Sequence, residues 1–232
     1  MIGVVVPAHN EAACLGACLD ALRVAAAHSG LLGEPVAIAV VLDSCTDGSA
    51  VVVAGHQAHA LHTTARNVGM GRALGADHLL AKGARWLAFT DADTLVSPEW
   101  LVQQLALEAD AVCGTIAVAD WSHLGDDGEF LREHFARTYT DADGHQHIHG
   151  ANLGVSSAAY IRAGGFKPLA CSEDVDLVRA LESTGATVAW SAAPRVHTSS
   201  RLQACAAGGF GDTLSAVLTG GRLQAEALKV RY

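Results

Sequence analysis

Asp91 and Asp93 follow directly on the apolar run Trp86-Leu-Ala-Phe-Thr90. On an extended segment, residues i and i+2 project to one side, so the two carboxylates can face one hard cation. The end of a strand is also where open α/β sheets bind their ligands. A lone D-x-D is by default a solvated acidic turn. A second acidic pair argues otherwise: Glu173-Asp174 opens a stretch in which Val175, Leu177, Val178 and Leu181 have helical periodicity. Acids favour a helix N-terminus through its dipole, but a carboxylate there can also take a proton from a hydroxyl. Asp176 reads as a solvated or capping residue.

These residues need a scaffold, and the first hundred positions supply the pattern of one. Ile2 to Val6 is a buried strand stopped by Pro7, and Asn10-Glu11 opens a helix with Leu15, Leu19 and Leu22 on one stripe. Val36 to Leu42 is a second strand, ending at Asp43. Ser49 to His56 is ambiguous, its valines favouring a strand and its position a helix. Asn67 to Lys82 is helical, Trp86 to Thr90 a third strand, and Ser97-Pro98 starts a helix running to Leu107. Alternation of this kind implies a mostly parallel central sheet with helices on both faces. Three strand ends, His9-Asn10, Asp43 and Asp91 to Asp93, then converge on one cleft.

Farther on, Ala111 to Ala119 is expected as a strand, Glu129 to Tyr139 as a helix, Gly150 to Val155 as a turn into a strand, and Ala158 to Ala163 as a short helix. Glu173 to Ser183 is a helix and Thr187 to Ser191 the final strand. The glycine-bearing tail beyond Arg201 is expected to be mobile in part.

With 232 residues, half of them hydrophobic, the chain can bury one enzyme-sized core. A net charge of −9 excludes a general nucleic-acid binder, which needs a basic surface to neutralise phosphate. The six cysteines, Cys14, Cys18, Cys45, Cys113, Cys171 and Cys205, form no C-x-x-C pair and read as reduced, mostly buried thiols of a cytoplasmic protein. Neither a signal peptide nor a membrane-spanning run is visible. Gly69-Met-Gly71-Arg-Ala-Leu-Gly75 misses the G-x-G-x-x-G spacing and follows no strand, so it is not read as a dinucleotide site. His145-Gln-His147-Ile-His149 would put three imidazoles on one side of an extended segment. No Cys or Glu beside them completes a zinc set, and a polar loop is the preferred reading.

In order and spacing, several segments resemble the family 2 glycosyltransferases, whose catalytic domain has the GT-A fold. They are Val4-Val-Val-Pro-Ala-His-Asn-Glu11, Leu42-Asp-Ser-Cys-Thr-Asp-Gly-Ser49, Ala65-Arg-Asn-Val-Gly69, Asp91 to Asp93, Gly150-Ala-Asn152 with Gly164-Gly-Phe166, and Ser172-Glu-Asp-Val-Asp176. The resemblance covers residues 1 to 200. It implies a nucleotide-binding part over about 1–95, an acceptor-binding part over about 96–200, and a tail, 201–232, acting in part as a lid.

The resemblance implies a nucleotide-diphosphate sugar as donor, with a UDP-sugar first in line, and a divalent cation, Mg²⁺ or Mn²⁺, bridging its phosphates. Asp93 would be the principal metal ligand and Asp91 would bind the ribose or a metal-bound water. His197 is a further candidate ligand, since some related transferases use a histidine after the base motif. Asp174, with Glu173 beside it, would be the general base for in-line attack with inversion. Pro7, Asn10, Glu11 and Asp43 match positions that cradle the nucleotide, although Leu42-Asp43-Ser44-Cys45 departs from the commonest Asp-Asp-Gly-Ser form. Arg66 and Arg72 are candidates for base or phosphate contacts, Arg201 for closing over the diphosphate, and His149 and Asn152 for sugar or acceptor contacts. Polysaccharide synthases of the family carry Q-x-x-R-W where this chain has Ser199-Ser-Arg-Leu-Gln-Ala204, so a soluble enzyme transferring one sugar is expected. The acceptor is open, and a homodimer is allowed. The alternatives are an inactive nucleotide- or partner-binding protein on the same fold and a retaining transferase.

Overall fold

The structure, a computed structural model, describes residues 1–169, 171–202 and 209–229, with side chains as far as residue 220. The first strand, β1 (Ile2–Ala8), is apolar without alternation because both of its faces are covered; Ile2, Val4, Val5 and Val6 are all fully buried. Helix α1 (Ala12–Ala26) buries Leu15, Cys18, Leu19 and Leu22, one stripe at helical spacing. Strand β2 (Val36–Asp43) lies parallel to β1, in register from Ile2 opposite Val36 to Ala8 opposite Leu42.

The ambiguous valine stretch is a helix, α2 (Ser49–Gly55), which buries Val53 and leaves Val51 exposed. A parallel sheet needs a crossover at this point, and the strand reached by it, β3 (His59–Thr63), is one that the sequence pattern missed. With Leu61 as its only large aliphatic residue, and an edge position, β3 carries almost no hydrophobic signal. Helix α3 (Val68–Ala81) is capped by Asn67, whose Oδ1 accepts the Met70 N–H at 2.9 Å. Strand β4 (Trp86–Phe89) pairs parallel with β1 on the side away from β2.

A two-residue strand, β5 (Leu95–Val96), comes next. Helix α4 (Trp100–Ala106) begins two residues later than Pro98, because Ser97-Pro-Glu99 is used in a turn whose Ser97 carbonyl accepts the Trp100 N–H. The remaining elements are β6 (Ala111–Val118), α5 (Asp126–Thr138), β7 (Leu153–Ser156), α6 (Ser157–Ala163), α7 (Glu173–Ser183), β8 (Val188–Thr198) and α8 (Phe210–Lys229). Strand β8 runs seven residues past the expected end at Ser191. Helix α8 occupies the tail that the sequence pattern left without an element.

Among the described residues one sheet holds eight strands in the order β3-β2-β1-β4-β7-β6-β8-β5. The first four are parallel, giving the doubly wound half; in open sheets of this kind ligands bind at the strand ends. Antiparallel pairing joins β7 to β4 and to β6, and β5 to β8. Helix α3 lies close against β1 because Gly75 has no side chain: a Cβ there would stand 2.5 Å from Val5 Cγ1. Gly75 is therefore a helix-to-sheet packing position, whereas Gly69 lies against the Lys167 carbonyl and Glu173. Below the sheet end, Phe89, Tyr160 and Phe166 pack together, with Phe89 and Phe166 edge to face at 4.9 Å.

The chain divides into two compact units. The larger comprises Met1–Ala117 and Asp141–Thr198, and the smaller comprises Val118–Thr140 and Ser199–Tyr232. In this division residues 118–140 group with the C-terminal segment. The smaller unit has its own apolar cluster, with Leu131 of α5 and Leu214 and Leu218 of α8 buried beside Phe210. Among the described residues, no helix is long and apolar enough to cross a membrane. No disulfide joins the described cysteines; Cys18 and Cys113 are buried, Cys171 is exposed, and Cys205 lies outside the described residues.

Candidate active site

Backbone hydrogen bonding shows first that the D-x-D is not extended. Strand β4 stops at Phe89, and the Thr94 N–H donates to the Asp91 carbonyl at 3.1 Å, closing a β-turn over Asp91 to Thr94. The alternation argument for two co-facing carboxylates is therefore replaced by turn geometry. Asp91 and Asp93 remain electrostatically coupled across that turn. The Cys18 thiol of α1 donates to the Asp91 carbonyl at 3.4 Å. Burial and the neighbouring Asp91 and Asp93 push that thiol far above its ordinary range, so it stays protonated as a donor.

Arg72 brings the two acidic motifs together. The sequence allowed it as a phosphate contact or a solvated helix residue, whereas in the structure it is 3% exposed. Its Nη2 donates to Asp91 Oδ1 at 2.6 Å, and its Nη1 stands 3.5 Å from Glu173 Oε1. The guanidinium carbon lies 5.7 Å from the centroid of the Phe166 ring. Nε and Nη1 are closed to solvent and make no hydrogen bond, Nη1 facing Glu173 across the 3.5 Å ion pair.

Three acids, Asp91, Glu173 and Asp174, thus bear on one cation, and Asp93 bears on Asp91. Burial raises the Asp91 pKa to about 6; Arg72 opposes the rise, and the charges of Asp93, Glu173 and Asp174 add to it. Arg72 itself is held above its usual range, because Asp91, Glu173 and Asp174 together outweigh the effect of burial.

Asp174 stands in the first turn of α7, after Ser172 in a left-handed conformation at φ 58°. Its Oδ2 accepts the Gly150 N–H at 2.7 Å and its Oδ1 the Val175 N–H at 2.8 Å. Each oxygen keeps a further lone pair for a hydroxyl. Asp176 is half-buried rather than solvated, its Oδ2 paired with Lys167 at 3.1 Å. His149 borders this acid: burial first, then His147 and His145, lower its pKa to about 4 against the opposing pull of Asp174. The rings of His145, His147 and His149 stack with centroids 5.5 and 5.9 Å apart, and His145 is buried against Trp190. They form a packed column.

The residues expected around a nucleotide base turn out to knit the strand-end loops together. Asp43 is buried; its Oδ1 accepts the Arg66 N–H and its Oδ2 the Asn67 N–H, both at 2.8 Å. Its carboxylate therefore fixes the entry to α3 before it can serve a ligand. His9 Nδ1 holds the Asp43 carbonyl at 2.6 Å. Asn10, at φ 54°, accepts the Thr46 N–H at 2.8 Å, joining the loop after β1 to the loop after β2. Glu11 is buried, with its N–H on Ser49 Oγ at 3.0 Å. Pro7 is half-buried at the end of β1, and Arg66 is exposed.

Asn152 is a correction. It is 1% exposed; its Nδ2 donates to the Thr115 and Pro194 carbonyls at 2.7 and 2.6 Å, and its Oδ1 accepts the Trp100 Nε1–H at 2.8 Å. Fully engaged in stapling β6, β8 and α4, it has no donor left for a sugar. His197 is likewise not beyond the last strand but within β8, exposed and paired with Leu95, two positions after Asp93. Arg201 belongs to the smaller unit, where its N–H meets Ser199 Oγ. Sequence reasoning missed the tasks of Cys18 and Gly150. Gly150 was visible as part of a quoted motif, but nothing local marked the Cys18 thiol.

The charge distribution suits a divalent cation. Burial first, and then the charges of Asp93, Glu173 and Asp174 against the pull of Arg72, raise Asp91 to about 6, so a cation beside it would be favoured. Among the described residues no three His, Cys, Asp or Glu side chains gather as a ready metal cage. Mg²⁺-like ions do not require one, since they commonly take one or two carboxylates and complete their shell with phosphate and water.

The sequence model for glycosyl transferase family 2 matches residues 3–162, and the chain belongs to that family. No curated protein sequence matches the chain. Among solved structures it is similar to S. aureus TarS 1–349 in complex with UDP-GlcNAc, at 14% identity and a TM-score of 0.66, over 90% of this chain and 61% of that one. It is similar also to the mannosyltransferase PcManGT from Pyrobaculum calidifontis in complex with GDP-Man and Mn²⁺ (19%, TM-score 0.61, 85% and 56%). A third is glucosyl-3-phosphoglycerate synthase from Mycobacterium tuberculosis with Mn²⁺, UDP and glucosyl-3-phosphoglycerate (16%, TM-score 0.57, 94% and 76%). At these identities the likeness is one of fold. The chain spans between 36% and 61% of the TarS chains that it matches.

Proposed function

We propose that the chain is a metal-dependent glycosyltransferase that moves one sugar from a nucleotide-diphosphate sugar to an acceptor hydroxyl, with inversion and without processive extension. The observation that carries this reading is the meeting of Asp91 and Glu173, 82 positions apart in sequence, on the two sides of Arg72. It supports reading the Asp91 turn as the cation-binding element and the start of α7 as the source of the base. Asp93 and Asp91 would hold Mg²⁺ or Mn²⁺, with His197 as a further candidate. When bound, the ion supplies neutralisation of the charge that develops on the departing diphosphate. Asp174, oriented by the Gly150 and Val175 amides, accepts the proton of the acceptor hydroxyl as that oxygen attacks the anomeric carbon. The loops held by Asp43, Asn10 and Glu11 form the nucleotide side of the cleft. Family membership and the nucleotides named for the TarS, PcManGT and synthase structures support a nucleotide-sugar donor, UDP-linked or GDP-linked.

The test is a thermal-shift screen of nucleotide sugars with and without Mn²⁺, since a ligand that binds the folded state raises its melting temperature. A metal-dependent shift with one donor, followed by transfer to an acceptor, is the expected result. Asp174→Asn should keep the shift and lose about 10³-fold in transfer rate, within the usual range for a general base. Donor binding with neither transfer nor donor hydrolysis would make the protein a binding module on this fold. An NMR determination of the product's anomeric configuration separates inversion from retention.

A further inference from the structure

We propose that Arg72 is a positioning residue: wedged between Asp91 and Glu173 beneath Gly150, it sets the spacing between the cation-binding turn and the base-bearing helix, and it does not touch the donor. The inference rests on the functional reading above and goes beyond it, because it assigns the arginine to the protein's own acids rather than to a phosphate.

Three observations support it. The guanidinium is an ion-pair partner to both motifs at once, at 2.6 Å on Asp91 and 3.5 Å on Glu173. A planar fork can hold two carboxylates in a fixed relation, which a single ammonium cannot. Second, Gly150 lies directly over the guanidinium, where a Cβ would fall inside the group. The same Gly150 donates its N–H to Asp174 Oδ2, so the plane of Arg72 fixes the height of the amide that orients the candidate base. Third, the buried Nε has no hydrogen-bond partner, and Nη1 meets Glu173 only as an ion pair. Unpaired buried donors destabilise a fold, and keeping them beneath an acid cluster fits a residue retained for the geometry it imposes.

The test uses Arg72→Lys, Arg72→Ala, Gly150→Ala and the double variant Arg72→Ala/Gly150→Ala, all in the full chain. Arg72→Lys keeps the charge and loses the fork, so transfer kcat should fall about 100-fold, the scale of a 1 Å misplacement, with the donor KM within about threefold of wild type. Gly150→Ala changes no charge and touches no substrate, yet it should reproduce that split. Wild-type kcat in Arg72→Lys would reduce the role to simple charge and overturn the proposal. Loss of UDP affinity in parallel with kcat would overturn it as well, in favour of direct phosphate contact.

A second readout needs no activity. In thermal melts Arg72→Ala and Gly150→Ala should each lower the midpoint, and the double variant should lie no lower than Arg72→Ala, because the new methyl group fills vacated space. Additive shifts would break the Arg72–Gly150 link. If the wild type transfers no sugar, the functional reading fails while this cycle still decides whether the two residues act as one. Arg72→Lys and Gly150→Ala carry the decision should Arg72→Ala not fold.

Discussion

At the scale of single residues, the site is built from groups whose roles follow from their partners rather than their types. Asn152 stands in a quoted family motif yet behaves as a core residue, since its three hydrogen bonds serve Trp100, Thr115 and Pro194. Asn152→Ala would leave three buried polar groups unpaired. We expect a loss of about 3 kcal/mol or more in denaturant unfolding, at roughly 1 kcal/mol or above for each orphaned group. Donor affinity per folded molecule should stay unchanged. A loss of donor affinity without a loss of stability would return Asn152 to the sugar site. Asp43 teaches the same lesson in milder form, because a carboxylate already accepting two amides is first a loop anchor.

Elements succeed or fail here through contact between faces. Helix α3 meets β1 at Gly75, where an added methyl would press on Val5 Cγ1 at 2.5 Å and Val41 Cγ2 at 3.2 Å. A valine methyl inside a packed sheet cannot move far, so overpacking of about 1–3 kcal/mol should outweigh the roughly 1 kcal/mol of helix propensity gained by Gly75→Ala. Gly16 in α1 is the control. Its Cβ would meet nothing nearer than Val52 Cγ1 at 3.8 Å, so Gly16→Ala should stabilise by about 0.5–1 kcal/mol. Thermal melts of the two variants should therefore move in opposite directions. The same element scale explains β3, an edge strand recognisable from the crossover that precedes it and not from its own residues.

For the whole molecule, acid is the informative stress. His149, held at a pKa of about 4 by burial and the adjacent imidazoles, must be neutral in the folded state, while in the unfolded chain it titrates near 6.5. Between those values the unfolded state binds the extra proton, so stability is intact above about pH 6.5 and falls as the pH drops toward 4. The ceiling is about 3 kcal/mol for a shift of this size, reduced by whatever solvent reaches the ring. His149→Gln should flatten the dependence of the melting temperature between pH 6.5 and 4 relative to wild type. An unchanged slope would show that the imidazole is solvated.

Much of the architecture was written locally. The continuous apolar runs of β1, β2 and β4, the stripe of α1 and the boundaries of α7 are short-range signals, and each survives in the fold because burial on both faces and helical periodicity leave their mark on neighbouring residues. Residue types and spacing also singled out Asp91, Asp93, Glu173 and Asp174. Nothing local could show that the D-x-D closes a turn, that Asn152 faces the core, or that Cys18 reaches the Asp91 carbonyl. Nor did α3 announce that Arg72 points inward between acids supplied by two distant segments. Those outcomes depend on which chain segments the sheet order brings side by side, and charge pairing across such distances is decided only when packing has closed the space between them.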